Sequence, residues 1–168
     1  PKEMSDGEIE EFISGFLAEV KIYGAILAGG DTCLSPGPLL ISVTVQGTVT
    51  AAEAICRDGA SYGDAIYVSG TLGDSALALH LLQSEQQPDN YLAGRFHTPT
   101  PQVTLGQELS RRQLATAMLD ISDGLLADLG HILQVSGVGA ELDLSEIPLS
   151  RSFQKAVSGD STLIDLAL

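Results

Sequence analysis

The chain has 168 residues, with 22 Asp+Glu against 8 Lys+Arg, a formal net charge of -14 and 44% hydrophobic residues. The apolar share excludes an intrinsically disordered chain, and the length allows one domain or one and a fraction. The acidic balance argues against nucleic acid or an anionic membrane as partner, because both need clustered Lys and Arg.

Ser5 and Glu8 stand at capping-box spacing, and Ile9, Phe12, Ile13, Phe16, Leu17 and Val20 follow at helical spacing, so a helix is expected from Ser5 to Gly24. Ala25 to Ala28 reads as a short buried strand running into Gly29-Gly30-Asp31-Thr32. After the turn Pro36-Gly37-Pro38, Leu39, Ile41, Val43 and Val45 alternate with Leu40, Ser42, Thr44 and Gln46 as in a strand. Ala51 to Cys56 reads as a short helix, Ala65 to Val68 as a strand and Ser75 to Leu82 as a helix. Residues 83–90 are polar and loop-like, and His97 to Pro101 is extended. Thr104 to Leu114 reads as a helix and Ala117 to Ile121 as a strand. The stripe Leu125, Leu126, Leu129, Ile132 and Leu133 predicts a helix closed by Ser136-Gly137. A strand over Ala140 to Leu144 and a helix over Ser150 to Val157 complete the pattern. Alternating strands and helices predict an α/β (α+β) fold, with a boundary near Val49-Thr50. No apolar run approaches the roughly 18 residues that span a bilayer. Cys33 and Cys56 form no CxxC, which fits a reducing, cytoplasmic setting. The start Pro1-Lys2-Glu3-Met4 and the uncapped apolar end Leu163 to Leu168 suggest a piece of a longer protein.

Three strand-to-loop junctions combine glycine with aspartate: Gly29-Gly30-Asp31-Thr32, Gly70-Thr71-Leu72-Gly73-Asp74 and Asp120-Ile121-Ser122-Asp123-Gly124. Carboxylates and hydroxyls suit Mg²⁺, glycine admits a phosphate close to the backbone, and a helix starting at Ser122 or Asp123 would turn its N-terminal amides toward an anion. Taken alone, the same residues also serve as plain turns and N-caps: that plainer reading is favoured for Gly70 to Asp74 and for Asp120 to Gly124, and is evenly matched for Gly29 to Thr32. No GxxxxGK[ST], GxGxxG or protein-kinase motif is present. His80, His97 and His131 lack metal-ligand spacing, and Cys33 has no base beside it.

The order of motifs is more specific than any one of them. Tyr23 to Thr32, Arg57 to Asp64, Tyr67 to Asp74 and Leu119 to His131 occur in series, and Gly139 to Leu149 continues them. This series resembles the thiamine-monophosphate kinase family, which belongs with aminoimidazole ribonucleotide synthetase and selenophosphate synthetase. The resemblance implies a two-domain architecture with the site between domains and across a homodimer. Residues 1–50 would be the end of the N-terminal, ATP-binding, dimerising domain, and residues 51–168 an incomplete C-terminal domain. It implies ATP and thiamine monophosphate as substrates and Mg²⁺ as cofactor. By position, Asp31, Asp120 and Asp123 would hold Mg²⁺, with Asp120 and Asp123 central to catalysis. Gly30, Asp31, Thr32, Arg57, Ser122 and Tyr23 would contact the nucleotide. The family's Gly-Gly-Asp-Thr-Thr-Arg is altered here at Cys33 and Leu34, and its Arg-Pro-x-Pro-Arg appears as Thr98-Pro99-Thr100-Pro101-Gln102. Its paired-aspartate motif would precede Pro1 and its Ser-Gly-Gly-Glu-Asp segment would follow Leu168. The alternatives are another ATP-using member of the superfamily, or a degenerate nucleotide-binding module.

Overall fold

A computed structural model describes residues 5–168; the start at Pro1 to Met4 lies outside the described residues. The chain divides into two units, a first ending at Thr48 and a second spanning Val49–Leu168.

In the first unit, helix α1 covers Asp6–Ile22. The predicted capping box forms: the Glu8 amide donates to Ser5 Oγ, and the Glu8 carboxylate accepts the Ser5 amide at 2.8 Å. Asp6 and Glu8 sit in the first turn and Lys21 in the last, matching the helix dipole. Gly24, at φ 66°, ends the helix in the left-handed region that favours glycine. None of the residues of α1 is buried.

The second unit carries the core. It holds helices α2 (Asp74–Gln83), α3 (Asn90–His97), α4 (Val103–Arg111), α5 (Leu125–Ser136) and α6 (Arg151–Gly159), with a 3₁₀ turn at Leu144–Glu146 between α5 and α6 and a 3₁₀ segment at Ser161–Ala167 after α6. Leu77, Ala78 and Phe153 are fully buried, and Leu72, Leu92, Leu125 and Ala167 close around them. Each helix entering this core has a local reason to start where it does. The carboxylate of Asp89 accepts the Leu92 amide at 2.9 Å to cap α3, and Ser150 Oγ accepts the Phe153 amide at 3.1 Å to cap α6. Gly73, at φ 79°, precedes α2, and a Cβ there would collide with the Phe153 ring. Glycine is therefore required twice over at that position. Helix α4 stops before the predicted Leu114 because Gln113 turns left-handed, at φ 50°. The Leu114 amide then bonds back to the Leu109 carbonyl at 3.0 Å and the Gln113 amide to that of Ser110. Helix α3 falls in a stretch to which the sequence pattern assigned no element.

The predicted sheet is not formed among the described residues. Segments 25–28, 39–46, 65–68, 117–121 and 140–144 contain no strand, and Ala51 to Cys56 holds a turn rather than a helix. A strand is defined by its ladder, and alternation of side chains supplies a face but no neighbour. Isolated bonds between segments occur instead: Met118 amide to Cys56 carbonyl at 3.1 Å, and Leu72 amide to Pro148 carbonyl at 2.9 Å. Both faces of 39–46 are exposed, Leu40 and Val45 at 83% and 85%. No helix among the described residues is long and apolar enough to cross a membrane.

Candidate functional site

The stretch Asp120 to Gly124 enters α5 as an exposed loop. Its shape is held by a carboxylate that lies beyond it in sequence. Asp128 Oδ2 accepts the amides of Ser122 at 2.8 Å and Asp123 at 3.0 Å, from a side chain only 5% exposed. The Asp123 amide, followed by those of Ser122 and Gly124 and the charge of His131, holds the Asp128 carboxyl below the usual carboxylate range, against the opposing cost of burial. Gly124 has φ 124°, and a Cβ there would stand 3.2 Å from the Leu168 carbonyl oxygen. That oxygen in turn accepts the Leu126 amide at 2.6 Å. The loop therefore turns sharply, commits its own amides to Asp128, and leaves Asp120, Ser122 and Asp123 exposed.

Arg57 lies on a second exposed loop of the same unit. The Cys56 carbonyl accepts the Met118 amide, and Asp64 Oδ2 accepts the Thr116 hydroxyl at 2.7 Å and the Ser61 amide at 2.9 Å. The Thr116 hydroxyl and then the Ser61 amide hold the Asp64 carboxyl below its ordinary range. The loop bearing Arg57 is thus bonded to the segment that leads into Asp120.

Tyr23, Gly30, Asp31 and Thr32 lie in the first unit and are exposed. Tyr23 follows α1 directly. Asp31 Oδ1 accepts the amide of its neighbour Thr32 at 2.9 Å, a local turn that orders the carboxylate only within its own dipeptide.

The third glycine–aspartate junction is structural. Asp74 is 2% exposed; it accepts the hydroxyls of Thr71 and Ser150, and that of Tyr91 at 3.2 Å, and Arg95 Nε lies 4.0 Å away. All its partners are side chains of the fold, so Asp74 has a structural role, though not the expected N-cap: Gly73 holds that position and no side chain caps α2. His80, His97 and His131 are exposed, as are the free thiols Cys33 and Cys56.

Among the described residues no group of three His, Cys, Asp or Glu side chains is placed to hold a metal ion. The donor chemistry of Asp120 and Asp123 nevertheless fits Mg²⁺. That ion binds through one or two carboxylates and completes its shell with water and substrate phosphates. Asp128 was absent from the candidates drawn from the motif. A signal was available: Asp128 lies on the same helical face as Leu125, Leu129 and Ile132, where a lone carboxylate needs a specific partner.

Comparison with known proteins places these loops in a family. The thiamine-monophosphate kinase of Salmonella typhimurium is 40% identical over 166 residues, 96% of this chain and 50% of that protein. The Haemophilus influenzae enzyme of the same name is 43% identical over 148 residues, 86% of this chain and 44% of that one. The crystal structure of thiamine-monophosphate kinase from Stenotrophomonas maltophilia K279a aligns with a TM-score of 0.85 at 38% identity, over 99% of this chain and 54% of that one. The chain spans about half the length of the relatives it matches. Residues 61–163 match the AIR synthase related protein, C-terminal domain, and the chain belongs to that family.

Proposed function

We propose that this chain is part of an enzyme that transfers the γ-phosphoryl group of ATP to thiamine monophosphate, giving thiamine diphosphate and ADP. The observation that carries the reading is the Asp120-to-Gly124 loop, braced by Asp128 with two carboxylates exposed, in a chain 33–43% identical to thiamine-monophosphate kinases. Phosphoryl transfer calls for alignment and charge neutralisation rather than a covalent intermediate. Mg²⁺, when bound, would supply positive charge to the phosphates, in keeping with a chain that carries only 8 Lys+Arg against 22 Asp+Glu. In the second unit Asp120 and Asp123 would hold the metal and Ser122 and Arg57 would orient the nucleotide; in the first unit, taken by itself, Asp31 would be a metal ligand and Gly30, Thr32 and Tyr23 nucleotide contacts. The first unit would be the end of a dimerising, ATP-binding domain and the second an incomplete C-terminal domain of an α/β, cytoplasmic homodimer. The extended segments 39–46 and 65–68 would be strands that find their ladders in that assembly.

The test is turnover by the full-length protein. With ATP, thiamine monophosphate and Mg²⁺, chromatography should show thiamine diphosphate, and a chelator should abolish it. Asp120→Asn and Asp123→Asn should each lower kcat by about tenfold or more, through weakened metal binding. No product from the wild-type protein would overturn the reading; ATP binding without product would leave a nucleotide-binding module.

A further inference from the structure

Serine near a helix end commonly turns its hydroxyl back onto its own helix, to the carbonyl four residues earlier. Ser136, the last residue of α5, does something else. Its hydroxyl donates to the Arg57 carbonyl at 3.0 Å and accepts the Ala60 amide at 3.2 Å. One oxygen therefore closes both ends of the turn Arg57-Asp58-Gly59-Ala60, about 79 positions away in sequence.

The opposite side of that turn is equally confined. A Cβ at Gly59 would run into the Thr116 carbonyl oxygen, so the turn lies flush against the 116–118 segment. Asp64, bonded to Thr116, pins the far end of the loop. Among the described residues, only the Ser136 hydroxyl holds both backbone groups flanking Asp58 and Gly59. The same helix carries Asp128 in its first turns, holding the Ser122 and Asp123 amides. Eight helical residues separate the two anchors, about 12 Å at 1.5 Å per residue. Helix α5 is thus a strut with one polar grip on the loop of Asp120 and Asp123 and another on the turn of Arg57.

We propose that Ser136 is a positioning residue for nucleotide binding, fixing the turn from which Arg57 reaches the nucleotide; this rests on the reading of Arg57 as a nucleotide contact. The hydroxyl touches backbone alone, so its loss leaves the Arg57 side chain chemically intact and misplaces it.

The experiment compares Ser136→Ala, Ser136→Cys, Ser136→Thr and Arg57→Ala in the full-length protein. It measures steady-state kinetics, Mg-ATP binding by calorimetry and amide exchange at Ala60. Ser136→Ala and Ser136→Cys should raise KM for ATP by about threefold to tenfold with kcat within about twofold, the pattern of binding lost equally from ground state and transition state. Both should speed exchange at Ala60. Ser136→Thr, which keeps the hydroxyl, should restore both values. Adding Ser136→Ala to Arg57→Ala should change KM no further. An unchanged KM in Ser136→Ala and Ser136→Cys, or an additive effect in the double variant, would overturn the positioning role and leave the kinase reading intact. No Mg-ATP binding by the wild-type protein would remove both.

Discussion

Residues 5–48 and residues 49–168 carry comparable apolar runs and treat them in opposite ways. Helix α1 has an apolar stripe and a complete capping box, and buries nothing; Phe12, Ile13 and Leu17 are each more than 40% exposed. In the second unit Phe153 and Leu77 are sealed within a core built from α2, α3 and α6. The site residues divide the same way. Among the described residues, Asp31 is ordered only by the amide of the next residue. Asp123 and Ser122 are held by a buried carboxylate. Local signals suffice to make a helix or a turn, whereas a loop rigid enough to present ligands needs an anchor from elsewhere in the fold.

The largest effect expected to sharpen this contrast is Phe153→Ala. It should cost the second unit about 3–5 kcal/mol in denaturant unfolding of the 168-residue chain, because the ring is fully buried. Phe12→Ala, on the exposed stripe, should cost less than about 1 kcal/mol. Equal losses would mean that the first unit has a core of its own.

The next contrast lies at the carboxylates. Asp128→Ala strands two amides, and exchange at Ser122 and Asp123 should accelerate about tenfold. Asp31→Ala should leave exchange outside Thr32 unchanged. Protection at 122 and 123 that survives Asp128→Ala would show that the loop is held by something other than Asp128.

The smallest effect is acid sensitivity. Hydrogen bonds hold several second-unit carboxyls below the ordinary value of 3.8: Asp89 through the Leu92 amide and the Ser152 hydroxyl, Asp143 through the Ser145 hydroxyl and amide, and Asp160 through those of Thr162. A folded-state value below the unfolded one gives stability that is complete above the unfolded value. That stability is lost as pH falls through the folded one. Thermal melts of the second unit should therefore hold steady down to about pH 4 and drop below it. All three groups are exposed, so the drop should be shallow. A decline beginning near pH 6 would point to a different group.

Much of the helical content was legible because its signals are local. Ser5 and Glu8 announce α1, the Leu125-to-Leu133 stripe announces α5, and Gly137 ends it at φ 69°. Helix α3 was not, since eight residues between a polar loop and a proline-rich stretch give little periodicity; the Asp89 cap was its one sequence signal. The expected strands were legible only as alternation, and whether alternation becomes a sheet depends on neighbours that no local pattern specifies. The clustering of Asp120, Ser122 and Asp123 on one loop could be read from spacing. Their support by Asp128, and the grip of Ser136 on the Arg57 turn, could not, because both depend on contacts across the fold.

The buried Asp74 has a dynamic consequence. Its hydroxyl partners come from the turn before α2, from Tyr91 on α3 and from Ser150 at the head of α6. Helices of eight to ten residues are too short to persist alone in water. None of the three can fray inward past this knot without stranding a polar group that another needs, so α2, α3 and α6 should open and close as one cooperative block, visible as a shared exchange rate of their amides.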